Sequence, residues 1–91
     1  MAPMETNWAR LRQILLGAGW EWREDALYSP NETMWFSPNS QNPDHASFRD
    51  KMSEAMTAAQ GDAVSGDQFQ VALHEDLVSL VAALDVLLDG N

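Results

Sequence analysis

The fold class this sequence predicts is α+β: one small domain with an N-terminal helix, a three-stranded antiparallel meander, then two helices with a possible fourth strand before the last. Three observations lead there. Stretches near both ends place apolar residues three and four positions apart, which is helical spacing. Between them the hydrophobic period drops to two, which is strand spacing. The links between the alternating runs are too short for parallel crossovers, so neighbouring strands must run antiparallel.

The first helix is expected over Asn7 to Leu16. Met1 to Glu5 reads as a frayed terminus, and Thr6 is a suitable N-cap because its hydroxyl can accept a free first-turn N–H. Trp8, Leu11, Leu15 and Ala18 step by 3, 4 and 3 along one face; Ile14 and Leu16 broaden it, while Arg10, Arg12 and Gln13 mark the wet side. Gly17 and Gly19 end it.

Trp20 to Arg23 alternates aromatic and charged residues, the mark of a strand with one buried face. Glu24-Asp25-Ala26 reads as a turn and Leu27 to Ser29 as a second strand. Pro30-Asn31-Glu32 closes it, with proline suited to the second position of a turn. Thr33 to Ser37 is the third strand. Ser37 to Pro43 holds no apolar residue and reads as a loop, with Asn42 a cap and Pro43 in the first turn of the next helix.

In that second helix Phe48, Met52, Ala55, Met56 and Ala59 follow helical spacing, and the stretch Gly61 to Gly66 breaks it. Asp67 to Leu73 admits two readings. Phe69, Val71 and Leu73 alternate with polar or small residues, as in a strand; alternatively Ser65 or Asp67 caps a longer helix, with Gln70 completing a capping box. The strand is the preferred expectation, because it leaves Glu75 and Asp76 in the first turn of the last helix, where acids complement the dipole.

The last helix is the strongest element. Leu73, Leu77, Leu80, Leu84 and Leu87 are separated by 4, 3, 4 and 3, Val81 and Leu88 widen the stripe, and Glu75, Ser79, Ala82, Asp85 and Asp89 fall on the other side. Gly90 is a natural left-handed C-terminal cap. Val78 and Val86 leave the stripe, which implies either a helix buried centrally in the monomer or an interface along one flank.

A chain of 91 residues makes one domain and buries roughly 60–65% of its unfolded surface, enough to fold without a metal or disulfide. There is no cysteine, hence no disulfide framework and no thiolate ligand or nucleophile. No apolar run approaches the roughly 20 residues of a membrane span, and the first twenty residues do not resemble a signal peptide, so a cytoplasmic protein is the expectation. The formal net charge is −9. Residues 1–37 hold five acids and three arginines, leaving −2; residues 38–91 hold nine acids against Arg49 and Lys51, leaving −7. That balance argues against direct binding of nucleic acid or anionic lipid. It suits a basic partner, or simply solubility.

Motifs for chemistry are thin. His45 and His74 are the only histidines and lie beside acids, but show no metal-ligand spacing; both read as helix-start residues. The adjacent pairs Glu24-Asp25 and Glu75-Asp76 point apart in a strand or helix and make no acid–base dyad. No nucleophile elbow and no phosphate-cradling glycine pattern is present. The expectation is a protein with no catalytic activity of its own, no cofactor and no bound metal.

What stands out is aromatic. Four tryptophans occur, three of them in the meander: Trp20 and Trp22 on one sheet face and Trp35 on the other. Either helices cover both faces or one stays open as a platform. The partner-binding candidates are therefore Trp20, Trp22 and Trp35 on the sheet and Val78 and Val86 on the last helix. The expected function is a small acidic protein-interaction module, forming a homodimer or taking another protein partner. An acidic inhibitor or antitoxin-like protein occupying a basic groove is the alternative. An aromatic pocket of Trp20, Trp22 and Tyr28 near His45 or His74, serving a small molecule, is the weakest reading.

Overall fold

The computed structural model describes residues 7–36, 45–64 and 66–89. The expectations placed on Met1 to Thr6, on the Ser37 to Pro43 loop with its Asn42 cap, and on Gly90 lie outside the described residues, as does the side chain of Trp8. Among these residues the fold is a small α+β arrangement of three helices and a short antiparallel sheet. Its elements are α1 (Asn7–Gly17), β1 (Glu21–Arg23), β2 (Ala26–Tyr28), β3 (Trp35–Phe36), α2 (His45–Val64) and α3 (Gln68–Asp89).

α1 buries Leu11 and Leu15 completely, as their spacing requires. Leu16 does not broaden that face but is exposed, because one residue beyond Leu15 it is turned about 100° away. The helix ends in a Schellman motif: Trp20 N–H donates to the Leu15 carbonyl (3.0 Å) and Gly19 N–H to that of Leu16 (3.3 Å), with Gly19 at φ +103°. This closure turns the chain so that Trp20 follows Leu15 into the core rather than beginning the strand.

The regular part of the sheet is the β1–β2 hairpin, with Glu21 opposite Tyr28, Trp22 opposite Leu27 and Arg23 opposite Ala26. Its two-residue turn puts Glu24 at φ +55°, a left-handed conformation that a side chain with a Cβ resists. Among the described residues β3 covers Trp35 and Phe36, beginning two residues later than the expected Thr33, and sets Phe36 opposite Leu27 and Trp35 opposite Tyr28. The turn before it has proline where expected: Glu32 N–H donates to the Ser29 carbonyl (2.9 Å) across Pro30-Asn31. The buried Ser29 hydroxyl accepts the N–H groups of Thr33 and Met34, both at 3.1 Å, and so satisfies donors the short sheet leaves unpaired.

α2 and α3 form the most extensive packing in the molecule. Gly61 does not break α2, which continues through it to Val64; a single glycine inside a helix costs only about 1 kcal/mol relative to alanine. The reversal falls at Gly66, with φ +94°. The expected fourth strand over residues 68–73 is absent, because α3 begins at Gln68. The Asp67 carboxylate accepts the N–H groups of Phe69 (2.9 Å) and Gln70 (3.4 Å), an N-cap that starts the helix before any strand can form. Glu75, Asp76 and His74 consequently lie in the second and third turns of α3, not at its start, whereas His45 does open α2.

The core gathers Leu11, Leu15, Trp20, Leu27, Leu80, Ala83, Leu84 and Leu87, with Ile14, Met34, Phe48 and Met52 packed against it. α3 thus lies at the centre of the fold, between α2 and the α1–sheet unit.

Candidate interaction surface

α3 has two faces with opposite fates. Leu77, Leu80, Leu84 and Leu87 are buried. On the opposite side, residues 71, 75, 78, 82, 86 and 89 are exposed and follow steps of 4, 3, 4, 4 and 3. They are Val71, Glu75, Val78, Ala82, Val86 and Asp89. Val71 is 39% exposed, Val78 43% and Val86 56%. Both predicted helix candidates, Val78 and Val86, therefore sit on one outward stripe. The sequence reading missed Val71 and assigned Glu75 and Ala82 to a merely wet side. The signal was present in the 71–75–78–82 spacing, but becomes visible only when the helix is started at residue 68.

What holds this face outward is the anchoring of the other one. Asp76 is 1% exposed and accepts hydrogen bonds from Thr33 Oγ1 (2.7 Å), from Asn31 Nδ2 (2.9 Å) and from the Asn31 main-chain N–H, which reaches both carboxylate oxygens at 3.3 Å. Three residues on, Ser79 Oγ accepts the Trp20 indole N–H at 3.0 Å. These two contacts fix the rotation of α3 about its axis against the sheet and the turn before β3. At the far end Arg49 Nε donates to Asp85 at 2.7 Å, tying the start of α2 to the end of α3. The Asp85 and Asp50 carboxylates both hold the Arg49 guanidinium in its charged form.

The three sheet tryptophans separate. Trp20 is 3% exposed and belongs to the core, so it presents no surface. Trp22 is partly covered by the Arg12 guanidinium, 5.2 Å from its ring centre. Trp35 is 63% exposed and stacks on Tyr28, with ring centres 6.2 Å apart. Arg23 lies over the other ring of that pair, 5.2 Å from the centre of Tyr28, and is itself paired with Glu21 and Glu32. Arg23 holds the Glu21 carboxyl below the usual carboxylate range, first through its hydrogen bond and then through its charge. On this outward sheet face the chain's own cation covers Tyr28, while Trp35 stays exposed.

Trp20, Trp22 and Tyr28 do not converge on a pocket, because Trp20 is internal and Trp22 and Tyr28 occupy alternate positions of the hairpin. An open cleft of about 370 Å³ lies elsewhere, between Ala46, Arg49 and Asp50 of α2 and Asp85, Leu88 and Asp89 of α3. Among the described residues no group of three or more His, Asp or Glu side chains gathers where it could hold a metal ion, and no helix is long and apolar enough to cross a membrane.

Compared with protein-family models, with curated proteins and with solved structures, the chain finds no match. The geometry alone carries the functional reading.

Proposed function

We propose that this chain is a small acidic protein-interaction module with no catalytic activity of its own, and that it docks its partner on the outward stripe of α3. One observation carries the reading: Val71, Val78 and Val86 stand exposed on a helix whose opposite stripe already fills the core. Helix-in-groove and helix-on-helix recognition use apolar anchors at this spacing. A homodimer and a complex with a different protein are the two forms such docking takes. Trp35 and Phe36 complete a three-stranded meander in this reading, with Trp35 and Tyr28 as a smaller, separate aromatic patch.

The stripe is tested by Val78→Glu and Val86→Glu, each with circular dichroism, thermal unfolding and absolute mass by light scattering. Both side chains are half outside the fold, so each variant is expected to keep its helicity and to lose less than about 0.5 kcal/mol of stability. A loss above about 2 kcal/mol would mean that the valines are packed inside the monomer, and the reading would fail.

The acidic-inhibitor alternative rests on a different observation. Of the two cations in residues 38–91, Arg49 is already engaged by Asp50 and Asp85, which leaves Lys51 against seven other acids. A complex formed this way would weaken steeply with salt.

A further inference from the structure

The charges set into the α3 stripe select among its possible occupants. Glu75 and Asp89 lie in the same exposed row as Val71, Val78, Ala82 and Val86, and among the described residues neither has an ion-pair partner. α3 contains no lysine or arginine at all. In a symmetric antiparallel pairing centred on Ala82, Val78 meets Val86 of the second copy and Glu75 meets its Asp89. In a symmetric parallel pairing each acid meets its own copy. Both of these pairings superpose valine on valine about Ala82 and bring carboxylate onto carboxylate, in a chain already at −9. Like charges set together at an interface disfavour that partner strongly. The cleft between α2 and α3 extends the same chemistry past the end of the stripe, since Asp50, Asp85 and Asp89 line it with a single arginine.

We infer that the occupant of the α3 stripe is not a second copy but a cationic amphipathic helix of another protein. Its apolar row, repeating every three and four residues, lies along Val71, Val78, Ala82 and Val86, and its flanking Lys or Arg side chains meet Glu75 and Asp89. This rests on the interaction reading above and narrows it. Helix-to-helix docking gives the partner the same 3–4 periodicity, and charge complementarity decides between the partner and self-association.

The test uses the full chain and two synthetic helical peptides with the same leucine row, one flanked by lysines and one by glutamates, in a fluorescence anisotropy titration at neutral pH. The lysine-flanked peptide is expected to bind and the glutamate-flanked one not. Val78→Glu decides between docking and diffuse attraction: it adds negative charge, so a purely electrostatic association strengthens, whereas docking on the stripe weakens at least tenfold. The double variant Glu75→Lys/Asp89→Lys is expected to weaken the lysine-flanked peptide at least tenfold and to admit the glutamate-flanked one. Binding that Val78→Glu leaves unchanged or strengthens overturns the inference. So does a dimeric mass at neutral pH that Val78→Glu abolishes, although that result keeps the interaction reading and replaces only the partner. A monomeric chain that binds neither peptide overturns the inference and removes the α3 face from the interaction reading as well.

Discussion

Asp76 is the residue whose removal should tell most about how this fold is held. It is a carboxylate 1% exposed to solvent and about 45 positions away in sequence from the turn that satisfies it. Its two short contacts, Thr33 Oγ1 at 2.7 Å and Asn31 Nδ2 at 2.9 Å, are hydrogen bonds to a charged acceptor, which contribute roughly 1.5–3 kcal/mol each. The main-chain N–H at 3.3 Å adds less. Against this stands the desolvation of the carboxylate, which no cation offsets in these contacts. Asn31 is exposed, so its amide regains water once released. Allowing for both, Asp76→Ala is expected to cost about 2–3 kcal/mol, and Asp76→Asn somewhat less, because one oxygen still accepts while the new amide faces a donor. A chain of this length has a total stability of roughly 5–14 kcal/mol, so the change is large. In urea unfolding followed by tryptophan fluorescence, with a slope of about 1–1.5 kcal/mol per molar, the midpoint should fall by roughly 2 M. Thr33→Val combined with Asp76→Ala should be non-additive by at least about 0.5 kcal/mol, since the two side chains share one bond. An unchanged midpoint in Asp76→Ala, or full additivity in the double variant, would refute the claim that this carboxylate anchors α3.

Other outcomes follow from the same geometry. Ser29→Ala leaves the Thr33 and Met34 N–H groups without their acceptor in a buried site, and should lower stability by about 1–3 kcal/mol in the same denaturation assay; a change below about 0.5 kcal/mol would show that water replaces the hydroxyl. Glu24→Gly should raise stability by roughly 0.5–1 kcal/mol, because the relief of a left-handed side chain exceeds the extra chain entropy of glycine; calorimetry showing a lower melting temperature would contradict the turn geometry. The Glu21 carboxyl should titrate below its ordinary 4.5 in a carboxyl-detected NMR titration and return towards that value in Arg23→Gln. Since the folded state depresses this pKa, the stability it confers is complete above pH 4.5 and is lost as pH falls through the lowered value. A titration at or above 4.5 in the native chain would dissolve the pair.

Much of the architecture was legible because it rests on local physics. The spacing of Leu11 and Leu15, and of Leu77 to Leu87, specifies a helix and the face it buries. Gly19, at φ +103°, and the Pro30 turn punctuate the chain with residues suited to the backbone there. The candidate surface was half legible: Val78 and Val86 stood out because they break a strong stripe. Trp20 was misplaced on a strand surface because period 2 says which residues share a face but not where the strand begins, and the Schellman closure of α1 claimed Trp20 for the core.

By itself the sequence determined the three helical segments, the antiparallel hairpin and the acid excess of the second half, since periodicity, capping residues and charge are properties of neighbours along the chain. Tertiary structure decided the rest. Phe69, Val71 and Leu73 fit an alternating strand as well as two sides of a helix, and the Asp67 cap together with packing against α2 settled residues 68–73 as helix. It also decided that Asp76 is an interior acceptor while Glu75 beside it faces solvent. Adjacent helical residues differ by about 100° in direction, and which one meets a turn from the other half of the chain depends on how the whole helix is rotated into its core.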